Sequence, residues 1–203
     1  MTSVANPTTR LPAAERRQAL VDTALRVFAD GSYRGTTTAE IAREAGISEP
    51  ILYRHFASKR DLYLACINEA WRRLRTMWDD VIADASSSDE FLPAISGCYV
   101  SIKDAKHRLA ELWMQATVEA NDDPEVRRFL RRHLREVRTY VADVIRRCQA
   151  EGTVLAERDP DAEAWIFVAS GLLGTIGRRL GGLLDEDDLK SIRAARKEWM
   201  TGK

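Results

Sequence analysis

The chain has 203 residues, of which 45% are apolar and 31% charged, and its 31 basic and 31 acidic side chains leave no formal net charge. That balance excludes a disordered or collagen-like chain and fits one large or two small globular domains. Three scattered cysteines, Cys66, Cys98 and Cys148, argue against a disulfide framework, and no uninterrupted apolar run reaches the ~20 residues of a bilayer-spanning helix.

The first residues, MTSVANPTTRLP, lack the basic start and apolar stretch of a secretory signal, so a reducing cytoplasmic location is expected. Residues 1–12 read as a loose arm, whose Arg10 either is solvated or reaches a minor groove. Pro12 suits a helix start, and Leu20, Ala24, Val27 and Phe28 then recur at helical spacing until Gly31. Thr37 and Glu40 form a capping-box pair before a short helix over 38–45, buried through Ile41, Ala42 and Ala45. Gly46 supplies a left-handed turn, Ile47 plugs the core, Ser48 caps and Pro50 fits the first turn of another short helix. Ser58 and Asp61 repeat the box logic at the head of a long helix that ASSSD, residues 85–89, breaks. Further helices are expected over about 90–104, 106–120, 124–150 and 161–180, with a last one to about Met200. No segment alternates as a half-buried strand does, and the fold class is all-α.

The stretch GISEPILYRHFASKRD, residues 46–61, holds Ser48, Glu49 and His55, which could be parts of a nucleophilic site. Helical period gives a simpler account. Leu52 and Phe56 are four apart and point inward together, leaving Ser48, Glu49, Ile51, Tyr53 and His55 largely exposed. Two short helices joined by a glycine turn, with a third before them, make a helix-turn-helix, whose second helix enters a major groove. Tyr53, His55 and Lys59 then offer donors to phosphates. Residues 1–60 carry nine basic against six acidic side chains, so a +3 head sits on a −3 remainder, as suits a partner that is a polyanion. No nucleophile elbow, phosphate loop or metal-spaced cluster supports an enzyme, so no catalytic residue, metal ligand or cofactor is assigned.

TTTAEIAREAGISEPILYRHFASKRDLYLACI, residues 36–67, resembles the DNA-binding signature of the TetR family of bacterial transcriptional regulators. The resemblance implies an N-terminal three-helix helix-turn-helix domain (13–60) followed by a larger helical ligand-binding and dimerisation domain (61–203). It implies phosphate contacts from Thr37, Thr38, Tyr53, His55 and Lys59, and places Glu49, Pro50 and Ile51 where base-reading or methyl-touching side chains lie; Ser48 either only caps or caps and touches a phosphate. Glu49 departs from the Gly, Lys or Gln commoner there: it either accepts from a cytosine amino group or only favours the helix dipole.

The rest of the chain is read with two alternatives in view. Gly171, Gly174, Gly177 and Gly181 recur at helical spacing, so another helix approaches closely, either within the chain or from a second copy. The resemblance implies the latter, with Trp199 in the dimer interface. Large side chains such as Met77, Trp78, Phe91, Tyr99, Trp113, Met114 and Phe167 are core or pocket wall. The resemblance implies a small-molecule cavity among these helices, for which Trp78, Tyr99, Trp113, Thr117 and Phe167 are the candidate lining. The arginine-rich helix after Pro124 reads as a solvated face rather than a second nucleic-acid surface, because acids interleave with its arginines. The expected partners are an operator duplex, a second copy of the chain and a small apolar ligand, with no membrane. The expected activity is that of a repressor released by ligand; the alternative is a regulator with no small ligand, switched by cysteine oxidation or constitutive.

Overall fold

The structure is a computed structural model and describes residues 12–91 and 109–202. The arm with Arg10, Cys98, Tyr99, His107 and all but the start of the helix expected over 90–104 lie outside the described residues. Those described are helical throughout, without a strand: α1 (Ala13–Asp30), α2 (Thr38–Glu44), α3 (Glu49–Tyr53), α4 (Lys59–Asp84), α5 (Leu109–Glu119), α6 (Pro124–Ala150), α7 (Pro160–Leu180) and α8 (Glu186–Thr201), with a 3-10 turn at Ser88–Glu90.

Two compact units, Met1–Glu69 and Ala70–Lys203, divide the chain inside α4. The first turns of α4 belong to the head because Leu62, Tyr63, Cys66 and Ile67 are all buried there. Tyr63 packs edge-on against Phe28 of α1 at 5.0 Å between ring centroids, and Cys66 Sγ lies 3.7 Å from the Val21 carbonyl oxygen. Ile41 and Ala42 of α2, Leu52 of α3 and Phe56 complete this core.

In the larger unit each helix start has a local cause. Asp123 accepts from the backbone N–H groups of Glu125 (2.8 Å) and Val126 (3.2 Å) with Pro124 in the first turn of α6. Asp159 repeats this before Pro160 in α7, and Asp185 with Asp188 closes a reciprocal capping box on α8. α6 packs against α5 and α7, burying Val126, Phe129, Val137, Val141 and Ile145 on one stripe. Its arginines face outward and pair locally: Arg138 and Arg146 both reach Asp161 of α7, at 2.9 and 2.8 Å, and Arg147 reaches Glu151 at 3.3 Å.

Candidate nucleic-acid interface

α2 begins where extended Thr37 turns its hydroxyl oxygen to accept from Glu40 N at 3.1 Å. It ends in a Schellman turn: Ile47 N donates to Ala42 O at 2.9 Å and Gly46 N to Arg43 O at 3.0 Å, with Gly46 at φ 67°. The next cap corrects the sequence reading. Ser48 caps α3 with its backbone alone, its carbonyl accepting from Ile51 N (2.9 Å) and Leu52 N (3.2 Å), while its hydroxyl makes no cap bond. Pro50 has no N–H to offer that hydroxyl, and the Ile51 N–H is already used. At α4, Asp61 N donates to Ser58 Oγ at 3.0 Å, and the Asp61 carboxylate reaches past Ser58 to accept from Ala57 N at 3.1 Å.

Leu52 and Phe56 are fully buried, as their spacing requires, and Ile51 and Tyr53 stand outward at 41% and 46% exposure. Thr37, Ser48 and Pro50 are exposed as well. Glu49 and His55, expected to be largely exposed, are half-buried, and so is Lys59, whose ammonium lies 4.6 Å from the centre of the Tyr33 ring. Thr38 is buried at 7% exposure, with a reason the spacing could not reveal. Its hydroxyl donates to Glu49 Oε1 at 2.5 Å and lies 3.0 Å from the Tyr53 hydroxyl. The start of α2 is thus tied to both ends of α3, with Thr38 between the Glu49 carboxylate and the Tyr53 hydroxyl.

The second candidate site is an aromatic core in the larger unit. Trp78 and Trp113 are buried there, and Phe167 packs edge-on to Trp78 at 5.8 Å. The sequence reading missed Trp71, Phe129, His133 and Tyr140, which extend the cluster: Trp71 meets Trp78 at 5.8 Å, Tyr140 stacks on Trp78 at 5.9 Å, and His133 contacts Trp113 (5.8 Å) and Phe129 (5.5 Å). Their positions on the apolar face of α6 and along α4 were the available signal. Thr117 lies apart from this core: it is exposed, and its hydroxyl bonds back to Met114 O at 2.7 Å, as a mid-helix threonine often does. Trp71 Nε1 donates to Glu136 at 3.0 Å and Tyr140 to Asp79 at 2.6 Å. Trp113 Nε1 and both ring nitrogens of His133 are buried without a hydrogen-bond partner among the described residues. Burial, only partly offset by Glu136 and reinforced by Arg132, lowers the His133 pKa to about 4, so its ring is neutral near pH 7.

The glycines of α7 do not form one exposed groove. Gly171 and Gly177 are buried, and a Cβ on Gly177 would meet Leu184 Cδ1 of the same chain at 3.4 Å. Gly181 ends the helix at φ 57° rather than continuing a helical face. Instead α7 exposes Ile166, Leu173, Ile176 and Leu180. Trp199 on α8 is 53% exposed, although its Nε1 donates to Glu163 Oε1 at 2.7 Å and Arg158 covers its ring at 3.7 Å.

Residues 20–66 match the family model for bacterial regulatory proteins of the tetR family, and residues 94–171 match that for the C-terminal part of BetI-type transcriptional repressors. The chain belongs to the tetR family. Its relatives include the transcriptional activator FasR of Mycolicibacterium smegmatis, 50% identical over 58 residues, which are 29% of this chain and 26% of that protein. The BetI regulator of Agrobacterium fabrum is 34% identical over 134 residues, covering 66% of this chain and 65% of its own. The chain thus spans from about a quarter to just under two thirds of these curated relatives. Among solved structures, a tetR-family regulator from Rhodococcus superposes with a TM-score of 0.79 at 23% identity, over 93% of this chain and 99% of that one. The fatty acid degradation regulator FadR from Bacillus halodurans gives 0.74 at 16% identity, over 95% and 97%. A regulator from Saccharomonospora viridis in complex with choline gives 0.71 at 22% identity, over 92% and 95%. At these identities the likeness is one of fold, and it extends over both units of this tetR-family chain.

Proposed function

We propose that this tetR-family chain is a DNA-binding transcriptional regulator, a repressor in its simplest form, that grips a pseudo-palindromic operator as a homodimer and is released by a small ligand. The observation that carries the proposal is the head: a five-residue α3, anchored by Leu52 and Phe56, that presents Ile51 and Tyr53 to the outside. Ile51 and Pro50 suit thymine methyls, Ser48, His55 and Lys59 suit phosphates, and Thr37 stands at the N-terminus of α2 beside them. So short a reading helix covers few base pairs, and a two-fold pair of heads supplies the rest.

The ligand belongs with Trp78, Trp113 and Phe167, joined by Trp71, Phe129 and His133, with Tyr99 as a further candidate. Aromatic side chains of this kind suit an apolar body. They suit a quaternary ammonium group too, through cation–π attraction, and the likeness to a regulator that holds choline supports that second reading. α4 contributes residues to both units, so a ligand that shifts it alters the spacing of paired heads, and operator binding must weaken ligand binding by the same factor. A cysteine switch through Cys66 or Cys148 is the weaker alternative, since both are fully buried and burial raises the Cys148 pKa, away from the reactive thiolate; Cys98 lies outside the described residues.

The test is a footprint of the full chain on the DNA flanking its own gene, repeated with choline and with octanoate at millimolar concentration. Protection of a two-fold site that one of the two abolishes is the expected outcome. Absence of any retained duplex at low salt would overturn the DNA-binding reading, and protection untouched by either compound would remove both ligand classes.

A further inference from the structure

Thr38 has one hydroxyl proton, and the Glu49 carboxylate takes it. The 3.0 Å contact between Thr38 Oγ1 and the Tyr53 hydroxyl therefore runs the other way, with Tyr53 donating. The result is a directed chain, Tyr53 O–H to Thr38 O–H to Glu49. It engages both hydroxyl donors, one near the start of α2 and one at the end of α3, and a phosphate oxygen can only accept. We propose that the Glu49 carboxylate is an internal substitute for a DNA phosphate: it holds the Thr38 donor directly, and the Tyr53 donor through Thr38, until a backbone phosphate displaces it. Its presence lowers affinity for duplex that offers nothing beyond a backbone, and so sharpens the preference for a duplex that also contacts the exposed face of α3. Glu49 is in this account a positioning residue. It acts through two other side chains and contributes its own charge besides.

The inference rests on the DNA-binding reading, and charge and positioning are separable by experiment. The measurement is fluorescence anisotropy of a random-sequence duplex titrated with the full chain over a range of salt concentrations. Glu49→Gln keeps a carbonyl acceptor for Thr38 and removes the charge, so it steepens the slope of log K against log salt by up to about 0.9. Glu49→Ala shares that slope and binds a further threefold to tenfold or so tighter at every salt concentration, because the Thr38–Tyr53 pair then has one hydroxyl proton free for a phosphate. In a Thr38→Val, Tyr53→Phe background the two Glu49 variants become indistinguishable. Coincident curves for Glu49→Ala and Glu49→Gln with Thr38 and Tyr53 intact would overturn the inference, as would weaker random-duplex binding by Glu49→Ala in a protein whose helix content and melting temperature are unchanged. Loss of stability in Glu49→Ala alone leaves the Gln variant and its comparison with the double-substituted background to decide. Failure of the wild type to bind any duplex would instead sink the DNA-binding reading itself.

Discussion

His133 lies against Trp113, Phe129 and Trp71 with neither ring nitrogen bonded. Leaving such groups unpaired costs about 1–3 kcal/mol each, so they are a candidate polar anchor for whatever enters the aromatic core. The lowered pKa has a consequence for stability. The folded ring binds its proton at about 4 and the unfolded one at 6.5, so between these values the unfolded chain holds more protons. Stability therefore falls as pH drops through that window and is fully present above it. Between pH 7 and pH 5 the loss from this group is about 2 kcal/mol. Urea unfolding at fixed protein concentration should show His133→Phe less sensitive to that pH change by this amount; equal pH dependence in both proteins would refute the assignment. At this scale the sequence was a partial guide. Leu52 and Phe56 were legible because burial follows a period. The Thr38–Glu49 bond joins residues eleven apart across a turn, and nothing in the spacing announces which hydroxyl a carboxylate will take.

Helix boundaries were the most legible elements, since their signals are local. α1 stops where Gly31 follows the last apolar turn, α4 begins in a Ser58–Asp61 cap, and α6 follows an Asp123–Pro124 start. Ser48 was the exception, because a cap needs a free N–H inside the helix and Pro50 removes one. The turn between α2 and α3 gives a test of this local logic. A Cβ on Gly46 would meet nothing within 4 Å, so only its φ of 67° resists substitution. Gly46→Ala should cost about 1 kcal/mol through backbone strain alone. Guanidinium unfolding followed by circular dichroism would measure it. A cost near zero would mean the turn relaxes into another conformation. Were that accompanied by unchanged duplex binding, the Schellman geometry would lose its role in setting the angle between α2 and α3.

Assembly is where the sequence pattern misdirected attention, and where the structure offers a different surface. Recurring glycines suggested a close helix approach, yet Gly177 is filled from within its own chain by Leu184 and Gly181 is a helix end. Helical spacing hides that distinction, because it specifies a face without saying what covers it. The exposed positions Ile166, Leu173 and Leu180 repeat every seven residues, and Ile176 falls between them on the same stripe of α7. On α8, Ile192 and Trp199 are exposed as well. In the proposed homodimer this stripe is the candidate contact with a second copy, across the two-fold axis that paired heads need. Leu173→Asp buries a charge in that contact while leaving the monomer's core alone, since Leu173 is 40% exposed in a single chain. Sedimentation velocity should then show a dimer for the wild type and a monomer for the variant, at equal helix content. Binding to a two-half-site operator should weaken by about 100-fold or more as avidity is lost, while binding to a single half-site stays the same. A Leu173→Asp protein that remains dimeric would move the interface off α7, and one that is monomeric yet binds the full operator undiminished would show that the two heads act independently.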